Sequence, residues 1–116
     1  MELEQARSLL IAERGHVQQQ LADTRVAQAE DHEAEGETGD IADPAQSLTE
    51  QGIDDAVAAA LRQRLAALDR ALWRIEDGSY GRSVRSGVPI PSERLQADPA
   101  AELTVEEAAA DEAGNR

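Results

Sequence analysis

The chain has 116 residues and no cysteine, and its 24 acidic residues outnumber 11 basic ones for a net charge of −13. The missing cysteines exclude disulfides, thiol catalysis and every thiolate metal site. The acid excess opposes direct binding to DNA, because counterion release from phosphates needs Lys or Arg. Aromatic residues make up only 2%, so the apolar content is mostly Ala and Leu, which suits helix seams better than a thick globular core.

The first element is a helix. From Glu2 to about Glu35, Leu3, Leu10, Val17 and Thr24 recur every seven residues, with Ala6, Leu21 and Ala27 beside them. Gly15 weakens such a helix by about 1 kcal/mol relative to Ala without ending it. From Glu30 to Asp43 the chain is intensely acidic, and Gly36 and Gly39 predict a loop. Asp43-Pro44 then reads as an N-cap acid followed by Pro in the first helical position. The second helix carries Ile53, Val57, Leu61, Leu65, Leu68, Leu72 and Ile75 in steps of three and four, and Gly78 stops it. Each helix spans about 45–50 Å at 1.5 Å per residue. Two apolar stripes joined by a short connection predict an antiparallel hairpin, packed as a coiled coil.

The remainder, Ser79 to Arg116, is rich in turns, with Gly81, Gly87, Pro89, Pro91 and Pro99. Ser83-Val84 and Val88-Pro89-Ile90 predict a short ribbon. Thr104-Val105-Glu106-Glu107 has the form of a capping box: a Thr hydroxyl caps the helix, and Glu107 reaches back to the Thr104 N–H. A short helix to about Glu112 follows from it. Val84, Val88, Ile90, Leu95 and Leu103 are expected to pack on Trp73 and Tyr80.

Catalytic signatures are missing from the sequence. It has no Gly-rich phosphate loop and no Ser-His-Asp spacing, and a two-helix hairpin offers no obvious substrate pocket. Asp31-His32-Glu33 is a weak candidate for divalent-ion binding, because adjacent helical residues point in different directions. No apolar run approaches the roughly 20 residues of a membrane span. The start, Met1-Glu2-Leu3-Glu4, is acidic where a secretory leader is basic. The expectation is a cytoplasmic monomer without enzymatic activity.

Three strings in the second half are specific: Arg74-Ile75-Glu76-Asp77-Gly78-Ser79-Tyr80-Gly81, Gly87-Val88-Pro89-Ile90-Pro91, and Arg94-Leu95-Gln96-Ala97-Asp98-Pro99-Ala100. Together they resemble the DksA/TraR family, bacterial regulators that bind RNA polymerase with a long coiled-coil hairpin and a four-cysteine zinc finger. The resemblance implies an all-α fold. Residues 1–78 form the hairpin, with an acidic tip near 36–45, and residues 79–116 form a degenerate zinc-finger-like lobe with a short terminal helix. It also implies a zinc site, yet the four ligand positions read Ser83, Ser86, Thr104 and Glu107. Neutral hydroxyls are poor zinc ligands, so no cofactor is expected, and the capping box with apolar packing must replace the metal.

At the hairpin tip the family carries an Asp-x-x-Asp-x-Ala motif that enters the polymerase secondary channel. Here Asp40, Asp43 and Ala45 match it. The resemblance thus names RNA polymerase as partner, with Arg62 and Arg94 as further contacts at the channel rim. Family members that respond to guanosine tetraphosphate use basic residues where this chain has Ala59-Ala60, Ala66-Ala67, Asp98 and Ala108-Ala109, so a weak or absent response is expected. The alternative reading is a coiled-coil scaffold that kept the fold and lost polymerase regulation.

Overall fold

The computed structural model describes residues 1–38 and 44–114, with side chains described outside 25–51. Four helices follow one another: α1 (Leu3–Thr38), α2 (Pro44–Asp77), α3 (Ser92–Ala97) and α4 (Val105–Gly114). Among the described residues there is no strand. The expected ribbon is reduced to one antiparallel bridge, Arg82 with Pro89.

The acidic stretch departs from expectation. α1 continues to Thr38, so residues 30–38 are helical and not loop. Glu and Ala are good helix formers, and the cost of one internal Gly is about 1 kcal/mol. α2 opens on Pro44 as its N-terminal signal predicts, and it ends at Asp77. Gly78 has φ +85°, a left-handed conformation open to Gly at little cost. This lets the N–H groups of Ser79 and Tyr80 fold back onto the Arg74 carbonyl, at 3.0 and 3.1 Å.

The chain divides into two compact units, one of residues 1–14 with 67–116 and one of residues 15–66. In the first, Ala6 and Leu10 of α1 and Leu68, Ala71 and Ile75 of α2 are buried. Their helices run antiparallel: Arg7 pairs with Glu76 at 2.9 Å and Arg14 with Asp69 at 2.6 Å, an advance of seven residues on α1 matching a retreat of seven on α2. In the second unit Val17, Leu21 and Ala58 are buried. Leu10 and Val17 therefore lie where the seven-residue repeat puts them, with Leu21 buried beside them. Leu3, Ile53 and Val57 do not; all three are exposed.

The lobe core is Ile90, Leu95 and Ala101, with Met1 and Tyr80 packed against it. Trp73 takes no part in it and is 69% exposed, and Val84 and Val88 are exposed as well. The reason is helical phase: at roughly 100° per residue, Trp73 lies about 200° from Ala71 and from Ile75, on the opposite face of α2. Tyr80, beyond the Gly78 turn, is the aromatic that reaches the core. Its hydroxyl donates to the Pro99 carbonyl at 2.8 Å.

Leu10 and Leu68 are both 0% exposed. Leu10→Ala or Leu68→Ala should each lower unfolding free energy by about 2–5 kcal/mol in urea titrations. Trp73→Ala should change it by less than about 0.5 kcal/mol, as expected of an exposed position.

Candidate functional site

The four positions at which the resemblance implies zinc ligands, Ser83, Ser86, Thr104 and Glu107, converge in space. The chain enters the region through the Arg82–Pro89 bridge, where the Ser83 N–H donates to the Val88 carbonyl at 2.8 Å. Gly87, at φ +78°, closes the turn by donating to the Ser83 carbonyl at 2.9 Å. Inside this turn the buried Ser83 Oγ accepts the N–H groups of Arg85 (3.1 Å) and Ser86 (3.2 Å). A serine hydroxyl holding backbone N–H groups two and three residues on is a self-contained turn device.

The second pair sits at the start of α4. The Thr104 N–H donates to Glu107 Oε1 at 3.1 Å, and the Glu107 N–H donates to Thr104 Oγ1 at 3.2 Å. This is the capping box that the sequence predicts. The two pairs then meet, because Ser83 Oγ donates to Glu107 Oε2 at 2.9 Å. These bonds, first from the Ser83 hydroxyl and then from the Thr104 N–H, hold the Glu107 carboxyl down at about 2, against an ordinary value of 4.5.

The arrangement does not fit zinc. Both oxygens of Glu107 and the Thr104 hydroxyl already accept hydrogen bonds, and Ser83 offers a neutral hydroxyl that holds two N–H groups. A zinc site asks for deprotonated or imidazole donors facing one point. Among the described residues, no group of three or more His, Asp or Glu side chains is placed to hold a metal ion.

Other proposed contacts are less gathered. Asp40 and Asp43 lie outside the described residues, as do the side chains of Ala45, Asp31, His32 and Glu33. Arg62 is exposed on α2. Arg94 is half-buried, and its Nε donates to the Leu103 carbonyl at 2.7 Å, which ties α3 to the approach to α4.

The sequence reading missed a second polar centre. Arg74 is 8% exposed, and its Nη1 reaches Glu102 Oε1 at 3.4 Å, while Arg70 Nε bonds the same oxygen at 2.6 Å. The only signal in the sequence is the four-residue spacing of Arg70 and Arg74, which puts both on one helix face. Nothing local announces Glu102 as their acceptor.

Two outcomes follow. A folded carboxyl held below its unfolded value stabilises fully above about pH 4.5, and that stabilisation is lost as pH falls through about 2. Glu107→Gln should therefore lower stability at pH 7 and flatten the acid limb between these values, read as the difference from wild type in unfolding titrations. Glu102→Gln should cost about 1–3 kcal/mol at pH 7, because it weakens the acceptor of a buried guanidinium.

No family model matches the chain. It is 40% identical over 67 residues to the RNA polymerase-binding transcription factor DksA of Caulobacter vibrioides, covering 58% of this chain and 47% of that protein. It is 39% identical over 66 residues to general stress protein 16O of Bacillus subtilis, covering 57% of this chain and 40% of that protein. The matched region is thus about half the length of these curated relatives or less. The fold of transcription factor DksA2 from Pseudomonas aeruginosa matches 98% of this chain and 85% of that chain, with a TM-score of 0.80 and 26% identity. In fold the chain is similar to DksA2, and in sequence to DksA and to general stress protein 16O, and it carries no cysteine.

Proposed function

We propose that this protein regulates bacterial transcription initiation by binding RNA polymerase through its secondary channel, with Asp40, Asp43 and Ala45 at the working tip. The observation that carries the reading is the match in fold to DksA2 over 98% of the chain. It is joined by the Asp-x-x-Asp-x-Ala string, which falls in sequence across the junction between α1, ending at Thr38, and α2, beginning at Pro44. A polymerase-binding relative is named among the sequence matches.

The chemistry is consistent with that role. Carboxylates at the end of a two-helix projection suit a site of Mg²⁺ and basic side chains. A net charge of −13 favours encounter with a basic rim and disfavours nucleic acid. Regulation then needs only differential contact: a coupling of about 1–3 kcal/mol changes the populations of promoter complexes about 5–150-fold. Of the two arginines assigned to the rim, exposed Arg62 is the better placed, since Arg94 already holds the Leu103 carbonyl. The protein acts as a monomer, without cofactor, in the cytoplasm.

The test is binding to purified core RNA polymerase, followed by transcription from a ribosomal-RNA promoter. Wild type and Asp40→Asn/Asp43→Asn should bind alike, and the double variant should lose on the order of tenfold of the effect on transcript yield. Absence of binding by the wild type would overturn the reading and leave a scaffold that kept the fold.

A further inference from the structure

A metal finger is held because one ion joins two turns that would otherwise separate. In this chain each turn is closed by its own hydrogen bonds. The Ser83 hydroxyl closes residues 83–86, and the Thr104–Glu107 capping box closes the start of α4. Neither device connects the two turns.

The bond from Ser83 Oγ to Glu107 Oε2 does connect them, at 2.9 Å. We propose that the Glu107 carboxylate is the cross-link that stands in for the metal, fastening the 83–86 turn to the first turn of α4. One oxygen serves the cap and the other serves the cross-link, so a single side chain belongs to both halves of the former site. A carboxylate suits this place because charge-assisted hydrogen bonds are roughly twice as strong as neutral ones. It also lies at a helix N-terminus, where negative charge is favoured.

Two neighbouring links share the load. Asp111, one helical turn beyond Glu107, pairs with Arg85 of the same 83–86 turn, but both side chains are about half exposed, and such pairs contribute little. The Val84 N–H donates to the Glu102 carbonyl at 2.9 Å, ahead of the helix. Of the three links, the Glu107 bond ends on the most deeply buried side chain, Ser83, at 5% exposure. The lobe therefore folds without metal, and a divalent cation has no open donor set to enter.

The test separates a cross-link from a mere cap. Amide hydrogen exchange is followed on the full-length protein, wild type, Glu107→Ala and Thr104→Ala, with zinc titrated calorimetrically and EDTA added in parallel thermal melts. Loss of the cross-link reaches across to the other turn, so Glu107→Ala should speed exchange at the Arg85 and Ser86 amides by about tenfold or more, while Thr104→Ala leaves them within about twofold. Wild type should take up no zinc at micromolar metal and melt at the same temperature with or without EDTA. Unchanged exchange at Arg85 and Ser86 in Glu107→Ala would overturn the proposal. So would equal acceleration by Thr104→Ala, stoichiometric zinc uptake, or a melting temperature lowered by EDTA. These readouts do not involve polymerase, so they stand apart from the test of the proposed function.

Discussion

The terminal lobe is too small to hold itself by burial, and much of this structure is organised around that constraint. Its apolar core has three buried members, Ile90, Leu95 and Ala101, of which one is alanine. Domains of this size ordinarily need a metal, a disulfide or a neighbour. The zero cysteine count removes the first two in their usual forms. The neighbour is the base of the helical pair, since residues 1–14 and 67–78 belong to the same compact unit as the lobe. Met1 and Tyr80 extend the lobe core, and the Arg74 carbonyl anchors the turn that brings Tyr80 into place.

Polar ties complete what burial begins, and they explain where many of the arginines went. Arg7 and Arg14 join α1 to α2, Arg70 and Arg74 join α2 to Glu102, Arg85 joins the 83–86 turn to α4, and Arg94 holds the Leu103 carbonyl. Guanidinium groups suit this work because they stay charged and their donors are set in a rigid fork. Much of the small stock of positive charge is thereby engaged inside the protein, while acids remain in more than twofold excess. The result is a surface better matched to a basic protein groove than to nucleic acid, which agrees with the reading of polymerase as partner.

Periodic and capping features were legible in the sequence because they are local. The spacing of Leu10, Val17 and Leu21, the Pro44 start, the Gly78 stop and the Thr104–Glu107 box each depend on residues within a turn or two, and each occurs in the structure. What failed depends on phase or on distance along the chain. Trp73 looked like a core residue because tryptophan is large and apolar, yet its one-residue offset from Leu72 turns it to solvent. Gly36 looked like a breaker, but it is carried within a helix of strong formers. Helix α3, six residues long, lies in a proline-marked stretch too short to show periodicity. The pairing of Arg74 with Glu102 spans 28 residues and leaves no local mark.

The Ser83–Glu107 cluster shows how the two kinds of information combine. The resemblance to a four-cysteine finger implies that Ser83, Ser86, Thr104 and Glu107 form one site, although nothing in their side chains would group them. Local chemistry then shows how each of the two turns is closed. Serine can accept the turn N–H groups that a ligand sulfur would face, and Thr with Glu three residues later can cap the helix. Each pair closes its own turn, so the two turns need only be joined to each other. The hydrogen bond between Ser83 and Glu107 joins the two turns, beside the Val84–Glu102 and Arg85–Asp111 links, in a chain that matches the DksA2 fold over 98% of its length.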